Sequence, residues 1–137
     1  MLSKLRPRQQ KSDTGTSAIE LAFLAPALLM ATLLIVQAAV WFHARQVAQA
    51  AVEKGARETR AYQGTQARGT AATLAAFNTL EGPRVTKGGV NVTATVGATN
   101  AEVTLTTSSA NVIPFWSWPI SVKAGGPIEK FQPPAGP

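Results

Sequence analysis

From Leu21 to Phe42 the chain carries no charged residue. Those 22 residues correspond to about 33 Å of α-helix, enough to cross the hydrocarbon of a bilayer. The boundary in front of the run is unusual. Gly15-Thr16-Ser17-Ala18-Ile19-Glu20 puts a carboxylate at the mouth of the apolar segment. An acid inside such a helix is costly, about 2.5–3.5 kcal/mol at the helix centre and less towards an end, so it calls for a partner. Cleavage after Gly15 would supply one. The new α-amino group of Thr16 would lie about one helical turn from Glu20, within one subunit or between neighbours.

This arrangement resembles the processing site of type IV prepilins and pseudopilins, where a short basic leader ends in Gly and Glu is the fifth mature residue. The wider set Gly15, Ala18, Ile19, Glu20, Ala22 and Pro26 is similar to the TadE family. These are minor pilins or pseudopilins of the tight-adherence (Tad, or Flp) pilus and secretion apparatus. The likeness covers about 30 residues. Leu21 stands where the major Flp pilins prefer Tyr or Phe, which favours a minor subunit. The resemblance implies cleavage by a prepilin peptidase between Gly15 and Thr16, charge pairing of Thr16 with Glu20, and other pilins and assembly proteins as partners. It places the protein in the bacterial cytoplasmic membrane as a single pass, N-terminus inside and head outside, with incorporation into a pilus.

Charge distribution fits a leader. Residues 1–15 hold four bases against one acid, half of the formal net charge of +6. Basic residues before an apolar helix favour cytoplasmic retention. The bases after the helix, Arg45, Lys54, Arg57 and Arg60, match the leading four in number, but only Arg45 lies within ten residues of Phe42. The remaining bases form no dense run interleaved with aromatics, which argues against nucleic acid as a partner. Two other readings of the N-terminus stand beside the prepilin-like one. A secretory signal peptide could be cut near Ala48-Gln49-Ala50, although its apolar core is normally shorter than this one. An uncleaved single-pass anchor is the other.

Beyond Phe42 the apolar positions continue at Ala44, Val47, Ala48, Ala51, Val52, Gly55, Ala56 and Thr59, in steps of three and four. Arg45, Gln46, Gln49, Glu53, Lys54, Arg57, Glu58 and Arg60 fill the other face, with Glu53–Arg57 and Lys54–Glu58 spaced i, i+4. One helix from about Ser17 to Ala61 is expected, and its outer half must pack on something to persist. The occupant is either the protein's own C-terminal part or a neighbouring subunit. Pro26 predicts a kink. Gln37, the one other strongly polar residue of the span, suits an interhelical hydrogen bond. Trp41 and Phe42 read as an aromatic anchor at the outer interface.

Gly64 and Gly69 read as breaks, and a second helix starts at about Gln66 or Ala71 and runs to about residue 81 (about 66–81 at its longest), with Ala67, Ala71, Leu74, Phe77 and Leu80 on its apolar side and Gly82-Pro83 as its stop. The period then becomes two. Val90 to Val96 and Ala101 to Leu105 predict an antiparallel hairpin turning at Gly97–Asn100. Val85-Thr86-Lys87 reads as the start of that strand or a short separate one, and Ile120-Ser121-Val122 as a last strand. The expected fold class is α+β: a long helix whose outer half lies on a small antiparallel sheet, pilin-like in outline. The expected organisation is a leader 1–15, a membrane helix 16–42, an extracytoplasmic head 43–124 and a Pro/Gly-rich tail 125–137.

Between the last strands, Asn111 to Pro119 contains Pro114, Phe115, Trp116, Trp118 and Pro119. Two prolines exclude a central strand. The aromatics either cover the edge of a thin core or form a contact patch of Phe115, Trp116 and Trp118. The chain has one His, no Cys and seven acids placed singly, with no phosphate loop after a strand. Neither an enzyme, a metal site nor a cofactor is indicated. Two functions follow: a TadE-like minor pilin, or a single-pass envelope protein whose head binds a partner without entering a fibre.

Overall fold

The computed structural model describes residues 14–81, 86 and 88–130. The basic leader to residue 13, the Gly82-Pro83 stop and residues 131–137 of the tail lie outside the described residues, as do Val85 and Lys87. Two helices, α1 (Thr14–Arg60) and α2 (Gln66–Leu80), precede three strands, β1 (Asn91–Val96), β2 (Asn100–Ser108) and β3 (Pro119–Pro127). The strands form one antiparallel sheet in the order β1-β2-β3. The α+β arrangement is the one the sequence implied.

α1 has two unlike halves. From Ser17 to Val36 it stands clear of the rest of the chain, every residue exposed except the half-buried Leu33. From Gln37 upward it lies across the sheet. All eight residues of the small-residue stripe are buried there, from Ala44 to Thr59. Their partners are α2, β2 and β3, so the stripe is satisfied by the protein's own head. The opposite face stays exposed or half-buried, as a helical period requires.

α2 corrects two expectations. Gly69 does not break the chain; it lies inside α2, which begins after the N-cap Thr65, whose hydroxyl accepts from Arg68 N at 3.2 Å. The buried face is Gly69, Thr73, Ala76 and Phe77, while Ala67, Ala71 and Leu80 are exposed and Leu74 is half-buried. The cause is close helix contact. A Cβ on Gly55 would lie 2.8 Å from Gly69 O, and one on Gly69 would lie 3.3 Å from Gly55 O. Thr59 and Thr73, each four residues on, donate their hydroxyls back to Gly55 O and Gly69 O at 2.8 Å. The two Gly-x-x-x-Thr segments thus face each other, and backbone proximity replaces large apolar side chains at the seam. Glu58 pairs across this seam with Arg68 at 3.0 Å, rather than with Lys54 on its own helix.

The sheet's inner row is Val103 and Leu105 on β2, flanked by Val92 and Ala94 on β1 and by Val122 and Ala124 on β3. Along β3 the inward residues shrink from Ile120 through Val122 and Ala124 to Gly126, and Arg60 lies against Gly126. Ile120-Ser121-Val122 therefore lies near the start of a longer strand, and Gly125 to Pro127 continue β3 rather than starting a tail. Ile128 N and Glu129 N then donate to Thr99 O and Arg60 O at 2.8 and 2.9 Å. Pro119 opens β3 at the sheet's edge, where a missing N–H is tolerated. Thr86 forms an isolated bridge to Ser109.

Candidate functional site

The functional geometry lies along α1, at three levels. At the lowest, Gly15 and Thr16 fall in the first turn of α1, with their side chains outside the described residues, and Glu20 is exposed one turn further on. Above it the helix continues through Pro26. Ile19, Leu21, Phe23, Leu24, Leu28 and Leu29 are all at least half exposed. The one hydroxyl of this stretch above Ser17, that of Thr32, donates to Leu28 O at 2.9 Å, as a polar group in lipid must. α1 is long and apolar enough to cross a membrane, and its most apolar window is wholly unburied by the protein. That is the surface of a single-pass membrane anchor.

The middle level is the junction with the head. Gln37 is fully buried, 0 % exposed. Its partner is not another helix, as the sequence suggested, but the loop between β2 and β3. Gln37 Oε1 accepts from Val112 N at 2.7 Å and Ile113 N at 3.4 Å. Gln37 Nε2 donates to Ala110 O at 3.1 Å and to Ser109 Oγ at 3.4 Å. All the hydrogen-bonding capacity of the amide is used, and the backbone partners fix which end is which. One turn higher, Trp41 Nε1 donates to Pro119 O at 3.3 Å, and its ring meets that of Trp118 edge-on at 6.1 Å. The Arg45 guanidinium lies 5.4 Å from the centroid of Trp41. Trp41 is thus part of the head's seam as well as an aromatic at the end of the span.

The core changes character at this junction. Higher up it is Val52, Phe77, Val103 and Leu105; at its base it is Gln37, Thr107 and Ser109, all buried. Sequence reasoning placed neither Thr107 nor Ser109 in the core. The alternation from Ala101 through Leu105 extends to both, so the period carried the signal and polarity concealed it.

The aromatic loop divides. Trp118 is half-buried on Trp41, whereas Phe115 is 105 % exposed and Trp116 51 % exposed. Trp116 N closes a turn on Ile113 O at 3.3 Å, with Pro114 and Phe115 between them. Phe115 adopts φ 66°, where a bulky residue is strained by about 1–3 kcal/mol. Of the two readings of this loop, a cover for the core edge does not hold for Phe115: the turn keeps it away from the core. Phe115 and Trp116 are thus exposed at the turn, and Trp118 keeps part of its surface open beside Trp41.

Among the described residues no group of His, Cys, Asp and Glu is placed to hold a metal ion. No curated protein and no solved structure matches the chain. A family model described as TadE-like protein matches residues 15–57. The matched stretch runs from Gly15 through Glu20, the exposed apolar half of α1 and Gln37 to most of the buried stripe, so this segment is similar to the TadE-like family, as its motif implied.

Proposed function

We propose that the protein is a minor pilin or pseudopilin of a Tad-type pilus or related secretion apparatus, processed by a prepilin peptidase after Gly15. The observation that carries this reading is the coincidence on one helix of the TadE-like match, Glu20 at the mouth of the span, and an apolar half that the head leaves bare. A structural subunit needs that division. The head folds on the upper half, and the lower half remains for lipid before assembly and for neighbouring helices after it. The basic residues before the helix favour an N-terminus in the cytoplasm and a head outside.

Glu20 has a defined role in this scheme. After cleavage, the Thr16 ammonium and the Glu20 carboxylate neutralise one another, within a subunit or across two. In a low-dielectric surrounding an unpaired charge of either sign is strongly disfavoured, so docking that satisfies both supplies alignment. Pro26 loosens the helix between this pair and the head, because it lacks the N–H that would bond Ala22 O.

The test is the mature mass of the protein recovered from membranes, with incorporation into pilus material followed alongside. A chain beginning at Thr16 is expected. A chain retaining Met1, or one beginning at Ala51, overturns the processing. Glu20→Gln should be cleaved and inserted normally yet be lost from the assembly; normal incorporation would sink charge pairing. A cleaved protein that never co-purifies with other pilus components would instead favour an envelope protein whose head binds a partner outside any fibre.

A further inference from the structure

We propose that the loop between β2 and β3, with Phe115 and Trp116 at its tip, is a second membrane contact that seats in the headgroup layer beside α1. The proposal rests on the apolar run that begins at Leu21 spanning the membrane and is independent of any role in a pilus. Its first support is position. Both ends of the loop are tied to α1 where the bare half ends: Ala110, Val112 and Ile113 to Gln37, and Pro119 to Trp41. Counted from Leu21, just above Glu20, about 30 Å of helix, the thickness of a bilayer's hydrocarbon, reaches Val40, between the ties at Gln37 and Trp41. The loop is therefore held at the level where hydrocarbon gives way to headgroups.

Its second support is chemistry. No charged residue occurs from Val103 to Val122, so nothing in the loop resists the interface. The Pro114-Phe115 turn presents a wholly exposed ring, at a backbone conformation unfavourable for Phe, although the half-buried Trp118 nearby shows that this loop can also fold a ring inward. Strain retained to display an apolar group is the pattern of a contact site. Tryptophan and its neighbours favour the headgroup level, where an apolar ring and a polar edge are both accommodated.

Lipid fits better than a protein partner because the patch adjoins the lipid-facing surface of α1. The first cation above it, Arg45, lies over Trp41 on the water side, the order of groups an interface selects. With two attachments, helix and loop, the head cannot rotate freely about the axis of α1. One of its faces is fixed towards the bilayer.

The chain has no Cys, so single labels are straightforward. Phe115→Cys, Leu29→Cys and Thr93→Cys, each in the full chain, would carry an environment-sensitive fluorophore in phosphatidylcholine vesicles. Leu29 lies in the span and Thr93 on the outward face of β1, and all three sites are exposed, so the fold should survive labelling. The label at 115 should be quenched by spin labels near the lipid headgroup and be several-fold less accessible to aqueous iodide than that at 93. Iodide quenching at 115 equal to that at 93, with lipid quenching confined to 29, overturns the proposal. So does shielding at 115 from both quenchers, which would mean a protein contact. Loss of lipid quenching at 29 would remove the membrane span itself, and the loop contact with it.

Discussion

The two halves of α1 share one backbone geometry and almost nothing else. Residues 21–36 are apolar on nearly every side and touch little of the protein, whereas residues 44–59 bury one narrow stripe and expose charge on the other face. The lower half is specified by composition alone: hydrophobic all round, it needs a surrounding that is also apolar. The upper half is specified by periodicity and by size. Its stripe is made of Ala, Val, Gly and Thr because α2 approaches closely enough for Gly55 and Gly69 to meet across the seam. A helix can therefore be stable over 47 residues for two different reasons, and each half should answer to different substitutions.

The largest effect should come from charge placed in the stripe. Ala51→Glu sets a carboxylate in a position that is fully buried, and the head should lose more than about 3 kcal/mol. Arg57→Glu, on the exposed face, should change stability by no more than about 0.5 kcal/mol. Denaturant titration of the reconstituted full chain, followed by tryptophan fluorescence, measures both. Equal effects would break the distinction between faces on which the packed upper half depends. Next in size is Gly69→Ala. Its single methyl would displace the Thr59 hydroxyl from its bond to Gly55 O and crowd that carbonyl, so about 2–3 kcal/mol should be lost. The double variant Gly69→Ala with Thr59→Ala, which removes the hydroxyl that the methyl meets, should recover part of that loss if the clash is the cause.

How much of this was legible in the sequence follows the same division. The span and the stripe were both plain, because absence of charge and a 3.6-residue period are strong signals carried by many residues. The face of α2 was not. Ala67, Ala71 and Leu80 are the more apolar choice, yet contact with α1 turns Gly69 and Thr73 inward, since closeness matters there more than hydrophobicity. Gly69 itself looked like a break for the same reason: a glycine read alone signals flexibility, and only a second glycine facing it reveals a packing surface. Gln37 was singled out correctly as a polar residue in need of a partner. Its partner lies in a loop more than 70 residues away, at Ala110 and Val112, a contact no local pattern encodes. For Phe115 burial and exposure both stayed open in the sequence, because a positive φ at Phe has no sequence signature.

The junction between the halves gives an intermediate effect. Gln37→Leu keeps the apolar volume but strands Val112 N and Ala110 O without a partner in a buried place. A loss of about 1–3 kcal/mol is expected. Hydrogen exchange at Val112 should rise more than exchange at Val103 in the centre of the sheet. Uniform exchange across the head would mean that Gln37 supports the whole fold and does not latch its base.

The smallest effect should come from the lower half, and it tests the comparison most sharply. Leu29 is 61 % exposed and faces no part of the head. In a buried core, Leu→Ala costs about 2–5 kcal/mol, because packing is lost and a cavity remains. In lipid no cavity forms, since acyl chains close around the smaller side chain. Leu29→Ala should therefore leave the unfolding of the head unchanged within about 0.5 kcal/mol, as for a surface site, while membrane partitioning weakens only slightly. The measurement is best made at two protein-to-lipid ratios. If stability drops at high ratio and not at low, the lower half packs against a second copy, and its bare surface is a subunit contact as well as a lipid one. If it drops equally at both, residue 29 packs within its own chain, and the division of α1 into a bare and a packed half fails.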